Sequence, residues 1–303
     1  MNVLITGGAG YIGTELTNRL NEDSTISNIT IYDNLSKGNR NLFIGHPKLS
    51  SKVTFVNGDL LDSRKLNKAL IGIDTVYHLA AKVSTPFSDQ GSHEFEQINN
   101  WGTAELVNAI ENSEVTTLIY LSSTSVYGAS NSIVEKGTEP NPQTFYGISK
   151  LRGEGHVNRI SNKINTYTLR CGNVYGYSKS MRFDAVINKF MFEANYNRKI
   201  SVNGDGMQYR SFIHIDKVSE VLHKISECNL PSDTYHLTDL NLSVVEIIDE
   251  LKELYPDLEM IFVNQHMKLK EIRVTSDKQI NQLITLKNSF KTELSQFKER
   301  FTF

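Results

Sequence analysis

The 303-residue sequence is poor in cysteine, proline and tryptophan, with two, six and one of these residues. Cys171 and Cys228 are too few for a disulfide framework, and no CxxC motif or cysteine–histidine cluster has the spacing of a metal site. His78, His93 and His214 are scattered, which favours structural hydrogen bonding over metal binding. We therefore expect two small buried thiols and no bound metal.

Long hydrophobic runs and a basic excess are also missing. No apolar run approaches the roughly twenty residues that span a bilayer, and the N-terminus begins with a predicted core strand rather than a signal peptide. The net charge of -2 at pH 7 argues against a nucleic-acid binder, because phosphate contacts require an excess of Lys and Arg. These absences predict a cytoplasmic protein that binds neither nucleic acid nor a membrane.

What the sequence contains instead is an alternation of short β-branched runs and longer helical patterns. The strand-like runs are Asn2–Thr6, Asn28–Tyr32, Val53–Asn57, Thr75–Leu79, Thr117–Ser122 and Asn165–Arg170. Helical spacing lies between them, notably over Arg64–Leu70, Asn100–Glu111 and Tyr146–Ser161. Such alternation predicts βαβ units, hence an α/β fold with a Rossmann-type, doubly wound parallel sheet whose ligands bind at the carboxyl ends of the strands.

The pattern changes after Lys179. Apolar residues recur at helical spacing from Met181 to Ala194, a strand-like run covers Ile200–Val202, and Ser243 with Glu246 forms a capping box for a helix that ends before Pro256. One or two surface helices are expected near the C-terminus. We predict a dinucleotide-binding domain over 1–178, joined by some later segments, and a smaller C-terminal α/β substrate-binding cap over 179–303.

A glycine motif opens the chain. Gly7, Gly10 and Gly13 have the spacing GxxGxxG between a strand-like run and a helical pattern. A strand that turns directly into a helix leaves the first helical N–H groups free to bind phosphate, although an ordinary glycine-rich loop has the same composition. Asp33, twenty residues after Gly13, ends the next strand, where a carboxylate binds ribose hydroxyls and repels a 2′-phosphate. The context predicts NAD rather than NADP.

Further candidates lie at later strand ends. Asp59 and Leu60 could hold an adenine, and small side chains at Ala80 and Ala81 would let the backbone approach a flat ligand. Each of these residues alone is ordinary loop chemistry. Together, on successive strands, they indicate one ligand channel.

A proton-transfer group follows. Tyr146 and Lys150 are four residues apart at the start of a predicted helix, so their side chains share one face. An adjacent ammonium favours the phenolate of a tyrosine, and Ser123 at the end of a strand could bond the same substrate oxygen. This trio suits proton transfer at an alcohol while a hydride moves to or from nicotinamide, although YxxxK alone is more often an exposed helical pair.

With these motifs together, the chain resembles an extended short-chain dehydrogenase/reductase of the NAD-dependent epimerase/dehydratase family, of which UDP-galactose 4-epimerase is typical. The matching motifs are TGGAGYIG at 6–13, YDNLSKG at 32–38, GDL at 58–60, HLAA at 78–81, NNWGT at 99–103, SSTSVYG at 122–128, YGISK at 146–150, LRCGNVYG at 169–176 and GDGMQYRSFIHIDKV at 204–218.

The resemblance implies a role for each matching residue. Tyr146 is the base, Lys150 lowers its pKa and holds the nicotinamide ribose, and Ser123 assists. The implied cofactor contacts are Gly7, Gly10, Tyr11, Ile12, Gly13, Asp33, Asn34, Asp59, Leu60, Leu79, Ala80, Ala81, Asn99, Tyr146 and Lys150. The implied substrate contacts are Ser123, Asn173, Arg210 and Arg273, with Arg210 on the diphosphate of a nucleotide sugar, most simply a UDP-sugar, and Arg273 as a second clamp. The family also implies a homodimer formed through the helices near 100–111 and 146–161.

Departures from the family narrow the expected chemistry. Its 4,6-dehydratases carry Asp-Glu after their threonine, whereas Thr124 and Ser125 stand here, so dehydration lacks its acid. The family's usual acids are also replaced at Ser211 and Lys217, and the segment 181–184 resembles a branch acting on less common sugars. We expect a nucleotide-sugar 4-epimerase working through a 4-keto sugar. The same residues also suit a nucleotide-sugar dehydrogenase or keto-reductase, and a non-catalytic NAD-binding protein is a third reading.

Overall fold

The computed structural model describes residues 1–44, 48–83, 91–264 and 271–301. The strands, in chain order, are β1 (Asn2–Thr6), β2 (Asn28–Asp33), β3 (Val53–Asn57), β4 (Thr75–His78), β5 (Thr117–Ser123), β6 (Ile133–Val134), β7 (Asn165–Cys171), β8 (Asn173–Tyr175), β9 (Lys199–Asn203), β10 (Tyr209–His214), β11 (Asp233–Leu237), β12 (Leu240–Ser243), β13 (Glu259–Val263) and β14 (Arg273–Val274). The helices are α1 (Tyr11–Glu22), α2 (Ser63–Ala69), α3 (Ser92–Phe95), α4 (Gly102–Glu111), α5 (Phe145–Arg159), α6 (Val186–Asn197), α7 (Ile215–Ile225), α8 (Val244–Leu254), α9 (Lys278–Asn281) and α10 (Phe290–Lys298). Short 3₁₀ turns cover Asn41–Phe43 and Thr124–Tyr127, and a π-helical turn covers Glu96–Trp101.

A seven-stranded parallel sheet has the order β11-β7-β5-β4-β1-β2-β3. Its central strands are apolar on both faces because helices cover both: every residue of β4 and β5 is buried. The expected Rossmann-type sheet is confirmed, and all six predicted strands lie within one residue of their observed bounds.

Helices from distant parts of the chain cover the two faces of this sheet. On one face Leu16 and Leu20 of α1 share a core with Val218 and Leu222 of α7. On the other face α2, α4 and α5 form the second core, around Leu66, Leu106 and Val157 among others. Strand β11 and helix α7 are therefore later segments that return to the main sheet; the domain division at 178 and 179 stays a prediction.

The remaining elements form a smaller α/β layer. A three-stranded sheet, β12-β10-β8, and the pair β13-β9 pack with α6, α8 and α10 around a third core that includes Phe190, Ile247 and Leu294. The capping box of Ser243 and Glu246 is present at the start of α8. Among the described ranges, no helix is long and apolar enough to cross a membrane.

One expectation for this layer is wrong in detail. Helix α6 begins at Val186 rather than near Met181, because Ala185 is extended and the carbonyl of Arg182 accepts a bond from the Asn188 side chain.

The expected C-terminal surface helices are α9 and α10. Each packs one face inward, with Ile280 and Leu294 fully buried in the first and third cores, and exposes polar residues such as Lys278 and Lys291.

Candidate active site

The glycine loop joins β1 to α1 in a space that admits no side chain. The Gly7 N–H donates to the Tyr32 carbonyl at 2.9 Å. Gly7 has φ +71°, and a Cβ there would lie 2.6 Å from the Ala80 nitrogen. A Cβ at Gly13 would collide with the Gly7 carbonyl, so this glycine lets the helix pack directly on the loop.

Helix α1 begins without a side-chain cap. Its N-cap is Gly10, and no described side chain accepts a hydrogen bond from this end of the helix. The first N–H groups are therefore available to an anion. A Cβ at Gly10 would meet the Gly7 carbonyl only at 3.1 Å, so the backbone at this point is the more open part of the loop.

Asp33 is fixed beside the loop at the end of β2. Its carboxylate accepts N–H bonds from Ala9 at 3.1 Å and from Leu35 at 2.8 Å. Burial raises the pKa of this carboxyl despite those two bonds. A rigid carboxylate close to an uncapped helix start fits the adenosine end of NAD, and the side-chain-free loop fits its pyrophosphate.

The neighbouring strand ends bring the expected adenine contacts together. Asn34 Nδ2 donates to Asp59 Oδ2 at 2.8 Å, which ties the end of β2 to the turn after β3. Leu60 is buried and would meet a Cβ at Gly102 of α4. Leu79, Ala80 and Ala81, which follow β4 directly, are half-buried.

Asn99 organises the centre of the channel from the π-helical turn. Its amide oxygen accepts from the Lys82 N–H at 2.8 Å, and its Nδ2 donates to the Lys82 carbonyl at 2.9 Å and to Ser149 Oγ at 3.0 Å. Asn99 thereby fixes the chain after β4 against α5. A π-turn often marks a functional position, and it gives this buried amide its orientation.

The hydroxyl of Tyr11 is bonded within the protein, and its contact with the cofactor stays a prediction. Its hydroxyl donates to the Gly176 carbonyl at 2.6 Å and accepts from Asn188 Nδ2 at 3.2 Å, and burial raises its pKa. The side chain therefore joins the glycine loop to the start of the smaller layer. Any contact of Tyr11 or the half-buried Ile12 with a pyrophosphate would come from their backbone N–H groups at the start of α1.

Ser123 and Tyr146 meet at the carboxyl end of the central sheet. Ser123 ends β5, and Tyr146 lies in the first turn of α5, whose start is capped by Thr144 Oγ1 accepting from the Gly147 N–H at 3.1 Å. The two side chains are hydrogen-bonded to each other. Ser123 Oγ also donates to Ser125 Oγ at 3.1 Å, so the phenol has a hydroxyl chain beside it.

Lys150 lies one helical turn further along α5, and its effect on the Tyr146 pKa stays a prediction. Burial raises the pKa of Tyr146; the opposing influences are the positive charge of Arg182 and the bond with Ser123. Lys150 Nζ donates to the Leu121 carbonyl at 2.8 Å. Lys150 thus shares one face of α5 with Tyr146, and its ammonium is held against strand β5.

The environment of Lys150 is unusually apolar for a lysine. The side chain is buried, and its ammonium lies 4.7 Å from the centre of the Tyr120 ring. Burial lowers the pKa of Lys150 to about 7, against the raising effect of the Glu154 and Cys171 side chains. A group that changes charge near neutral pH lies where proton chemistry is expected.

The predicted diphosphate residues lie on β10 and β14. Arg210 is half-buried, its NH1 donates to the Tyr209 carbonyl at 3.1 Å, and burial lowers its pKa. The guanidinium of Arg273 lies over the Tyr209 ring at 5.0 Å, and its Nε is buried with no hydrogen-bond partner among the described residues. Glu271 acts on both cations, 3.8 Å from Arg273. The pair thus carries excess positive charge and an unused donor.

Asn173, the remaining predicted substrate contact, is exposed at the start of β8, where its Nδ2 donates to the Ser211 carbonyl at 3.1 Å.

Two residues near the site were not predicted from the sequence. Arg182 acts on Tyr146 from the segment 181–184, which the resemblance linked to less common sugars without giving Arg182 a role. Glu154, one turn after Lys150, gave no signal beyond that spacing.

Of the three histidines for which structural hydrogen bonding is predicted, His78 and His214 make side-chain bonds. His78 lies between Thr6 Oγ1 at 2.7 Å and Thr103 Oγ1 at 2.9 Å, and His214 Nδ1 accepts from the Asp216 N–H at 3.3 Å. Within the described ranges, no group of three His, Cys, Asp or Glu side chains could hold a metal ion.

Comparison with known proteins shows which family, relatives and solved structures this chain is similar to. The model of the NAD dependent epimerase/dehydratase family matches residues 3–237. The chain is 32% identical over 260 residues to human dTDP-D-glucose 4,6-dehydratase, covering 83% of this chain and 73% of that protein. It is 30% identical over 260 residues to a putative UDP-glucose 4-epimerase of Methanocaldococcus jannaschii, covering 82% and 81%. The structure of UDP-glucuronic acid 4-epimerase from Bacillus cereus in complex with UDP-glucuronic acid and NAD superposes with a TM-score of 0.84 at 25% identity, covering 99% of this chain and 98% of that one.

Proposed function

This chain belongs to the NAD dependent epimerase/dehydratase family, and we propose that it is a nucleotide-sugar epimerase that acts at C4 through a transient 4-keto sugar. NAD is the cofactor, and its solved neighbours are complexes with NAD. The cradle of Gly7, Gly10 and Gly13 with the fixed carboxylate of Asp33 fits that molecule.

The proposed chemistry needs one proton acceptor and one proton relay on the protein. Bound NAD supplies a reversible hydride acceptor. Tyr146 takes the proton of the sugar hydroxyl, and Ser123, already bonded to Tyr146, holds the same oxygen. After the keto sugar has turned, Tyr146 returns the proton to the new alcohol, so the protein ends each turnover in its starting state.

Lys150 supports this step through its charge. Its ammonium lies on the same helix face as Tyr146, four residues further along, and a positive charge there favours the phenolate during proton transfer. Because the pKa of Lys150 is about 7, its charged form is present below that pH and is lost above it. Arg182 adds a second positive influence on Tyr146.

The observation that carries epimerisation over dehydration is the side chains that follow Ser123. Thr124 is buried and Ser125 bonds to Ser123, so hydroxyls stand where water loss from a sugar would need an acid and a base. The groups that act on the pKa of Tyr146 are Arg182, Ser123 and Cys171, none of them a carboxylate. Proton and hydride can return to the same carbon without any further acid.

A nucleotide diphosphate suits the cations on β10 and β14. The buried, unpartnered Nε of Arg273 and the half-buried Arg210 share one carboxylate, Glu271, which leaves a net positive charge. A guanidinium binds phosphate oxygens bidentately, so a diphosphate would satisfy both the charge and the free donor. We propose a UDP-sugar as substrate, as in the neighbours bound to UDP-glucose and UDP-glucuronic acid.

A proton NMR time course tests the activity. The purified protein is mixed with UDP-, GDP-, CDP- and dTDP-sugars and a sub-stoichiometric amount of NAD. An epimerase forms more product than the NAD supplied, with inverted configuration at one carbon. Product that stops at the amount of NAD would instead identify a dehydrogenase, and a new C6 methyl signal would identify a 4,6-dehydratase; either outcome overturns the proposal.

The same time course tests the site through matched variants. Tyr146→Phe keeps the ring and removes the proton acceptor, whereas Tyr196→Phe makes the same change on the exposed side of α6. Turnover should be lost only in Tyr146→Phe. Arg273→Met should raise the KM of the nucleotide sugar with little change in kcat, because it removes a contact to the diphosphate rather than to the reacting carbon. Sugar turnover with equal rates in Tyr146→Phe and wild type would reject the assigned base.

A further inference from the structure

Glu154 is a buried carboxylate beneath the proton-transfer site. It lies on the sheet side of α5 and is 7% exposed. Ser122 Oγ donates to its Oε1 at 2.5 Å, and Arg170 NH2 donates to its Oε2 at 2.7 Å, with Arg170 Nε at 3.1 Å from Oε1. Ser122 and Arg170 are register partners on β5 and β7, so the carboxylate spans both strands.

Lys150 and Glu154 are anchored at neighbouring positions of strand β5. The two residues are one helical turn apart on α5. Lys150 Nζ is bonded to the Leu121 carbonyl, and Glu154 is bonded to the hydroxyl of Ser122, the next residue of β5. The carboxylate raises the pKa of the ammonium through space, an influence that is stronger in a site shielded from water than at the surface.

Apart from the Arg170 guanidinium, which is paired with Glu154, the other titratable groups around Lys150 are neutral near pH 7. Burial raises the pKa of Tyr120 on β5, of Tyr146 on α5 and of Cys171 on β7, the last to about 12. Burial lowers the pKa of His78 on β4 to about 3. Among the described residues that act on Lys150, Glu154 therefore provides the negative charge.

We propose that Glu154 is a positioning residue that keeps Lys150 in its ammonium form beside Tyr146. A buried ammonium without an anion would lose its proton, and the phenolate formed during turnover would then lack its counter-charge. The proposal rests on the proposed role of Lys150 in sugar epimerisation. The effect of Glu154 on the charge of Lys150 does not depend on that role and can be measured without a sugar.

Arg170 gives the proposal a second, opposite test. Its guanidinium is bonded to the Glu154 carboxylate and offsets part of its negative charge, and its NH1 donates to Tyr127 Oη at 2.6 Å. Removing the positive charge of Arg170 leaves the charge of Glu154 uncompensated, which increases its influence on Lys150. Glu154→Gln should therefore lower the Lys150 pKa, and Arg170→Met should raise it.

The direct measurement is an NMR titration of Lys150 Nζ in protein labelled with ¹⁵N-lysine, with the resonance assigned from the Lys150→Met spectrum. Glu154→Gln should move the midpoint down by roughly one pH unit or more, the size expected for a neighbouring opposite charge. Glu220→Gln is the matched control, because Glu220 is also buried on a helix and paired with a lysine, Lys224, on the opposite face of the sheet.

An unmoved Lys150 midpoint in folded Glu154→Gln would overturn the proposal, as would an equal shift in Glu220→Gln. If Glu154→Gln does not fold, Arg170→Met decides: an upward shift supports the proposal and an unchanged midpoint overturns it. In the wild-type holoenzyme the basic limb of the kcat profile should follow the same midpoint and move down in Glu154→Gln. The NMR shift without any sugar turnover would leave the electrostatic role in place and reject only the proposed function.

Discussion

Of the proposed catalytic residues, Tyr146 is the one whose substitution should reduce kcat most. Positioned proton transfer typically contributes a factor of about 10² to 10⁴, so Tyr146→Phe should reduce kcat by that order, and Ser123→Ala by less, since Ser123 shares rather than accepts the proton. NAD affinity, measured by fluorescence quenching of the protein, should stay close to wild type in Ser123→Ala. A Tyr146→Phe protein that retains more than a tenth of the wild-type kcat would assign the proton to another group.

The buried Lys150 should also make the free energy of unfolding depend on pH. Its folded pKa of about 7 lies below the unfolded value, so the unfolded chain binds the extra proton between about pH 7 and 10.5. The cost of burying the ammonium is complete below pH 7 and disappears as pH rises through that window. Lys150→Met should therefore be more stable than wild type at pH 7, by an advantage that shrinks by roughly 2 to 3 kcal/mol between pH 7 and 9.

Urea unfolding of both proteins across that range gives the difference directly. Lys52→Met is a suitable control, because Lys52 lies at the surface start of β3 with its Nζ on the Asp23 carbonyl. A stability difference between Lys150→Met and wild type that does not vary with pH would mean that Lys150 titrates at its ordinary value in the fold.

For single residues, the sequence predicted which side chains lie near one another better than it predicted their orientations. Asp33 and Ser123 end strands whose carboxyl ends a parallel sheet brings to one edge, and Tyr146 reaches Ser123 from the first turn of α5. The Tyr11 hydroxyl and the Arg182 charge depend on how the segment after β8 folds back over α1, a contact across more than 160 residues. Spacing along a chain carries no information about such a contact.

Among the elements, the β1–α1 turn depends most on a missing side chain. Gly7→Ala and Gly72→Ala impose nearly the same strain, since the two φ values are +71° and +69°, at about 1 to 2 kcal/mol. The two positions differ in the space around them: a Cβ at Gly7 meets the Ala80 backbone, and a Cβ at Gly72 meets nothing within 4 Å. Gly7→Ala should lose NAD binding and more stability than Gly72→Ala, as measured by titration calorimetry and thermal unfolding. Equal losses would show that the close approach to Ala80 has no role.

The elements themselves were largely predictable. The runs of β1 to β5 and β7 are rich in β-branched residues and bounded by turn residues, and the capping box of Ser243 and Glu246 marks the start of α8. The place of β11 was not predictable, because strand order depends on packing across the whole sheet. The cores against which α9 and α10 pack were not predictable for the same reason, since short helices give little periodicity.

For the whole molecule, the homodimer stays a prediction, and Trp101 offers its test. Trp101 is 61% exposed at the end of the π-helical turn that leads into α4, within the surface that the resemblance assigns to the partner. Large aromatic side chains at the centre of an interface are frequent hot spots. Trp101→Asp should give a monomer by light scattering, whereas Ile71→Asp, at another exposed apolar position, should not. A wild-type monomer would refute the predicted interface.

The position of β11 also determines the order in which the molecule can be completed during synthesis. Its residues 233–237 pair with the outer edge of β7, which ends at Cys171, and α7 must cover α1 from residues 215–225. While the ribosome translates the intervening segment, the nascent chain carries an unpaired β7 edge and an uncovered apolar face of α1. Such surfaces attract other strands and chains. The time between the emergence of β7 and β11 is therefore the interval in which a newly made copy most needs a chaperone.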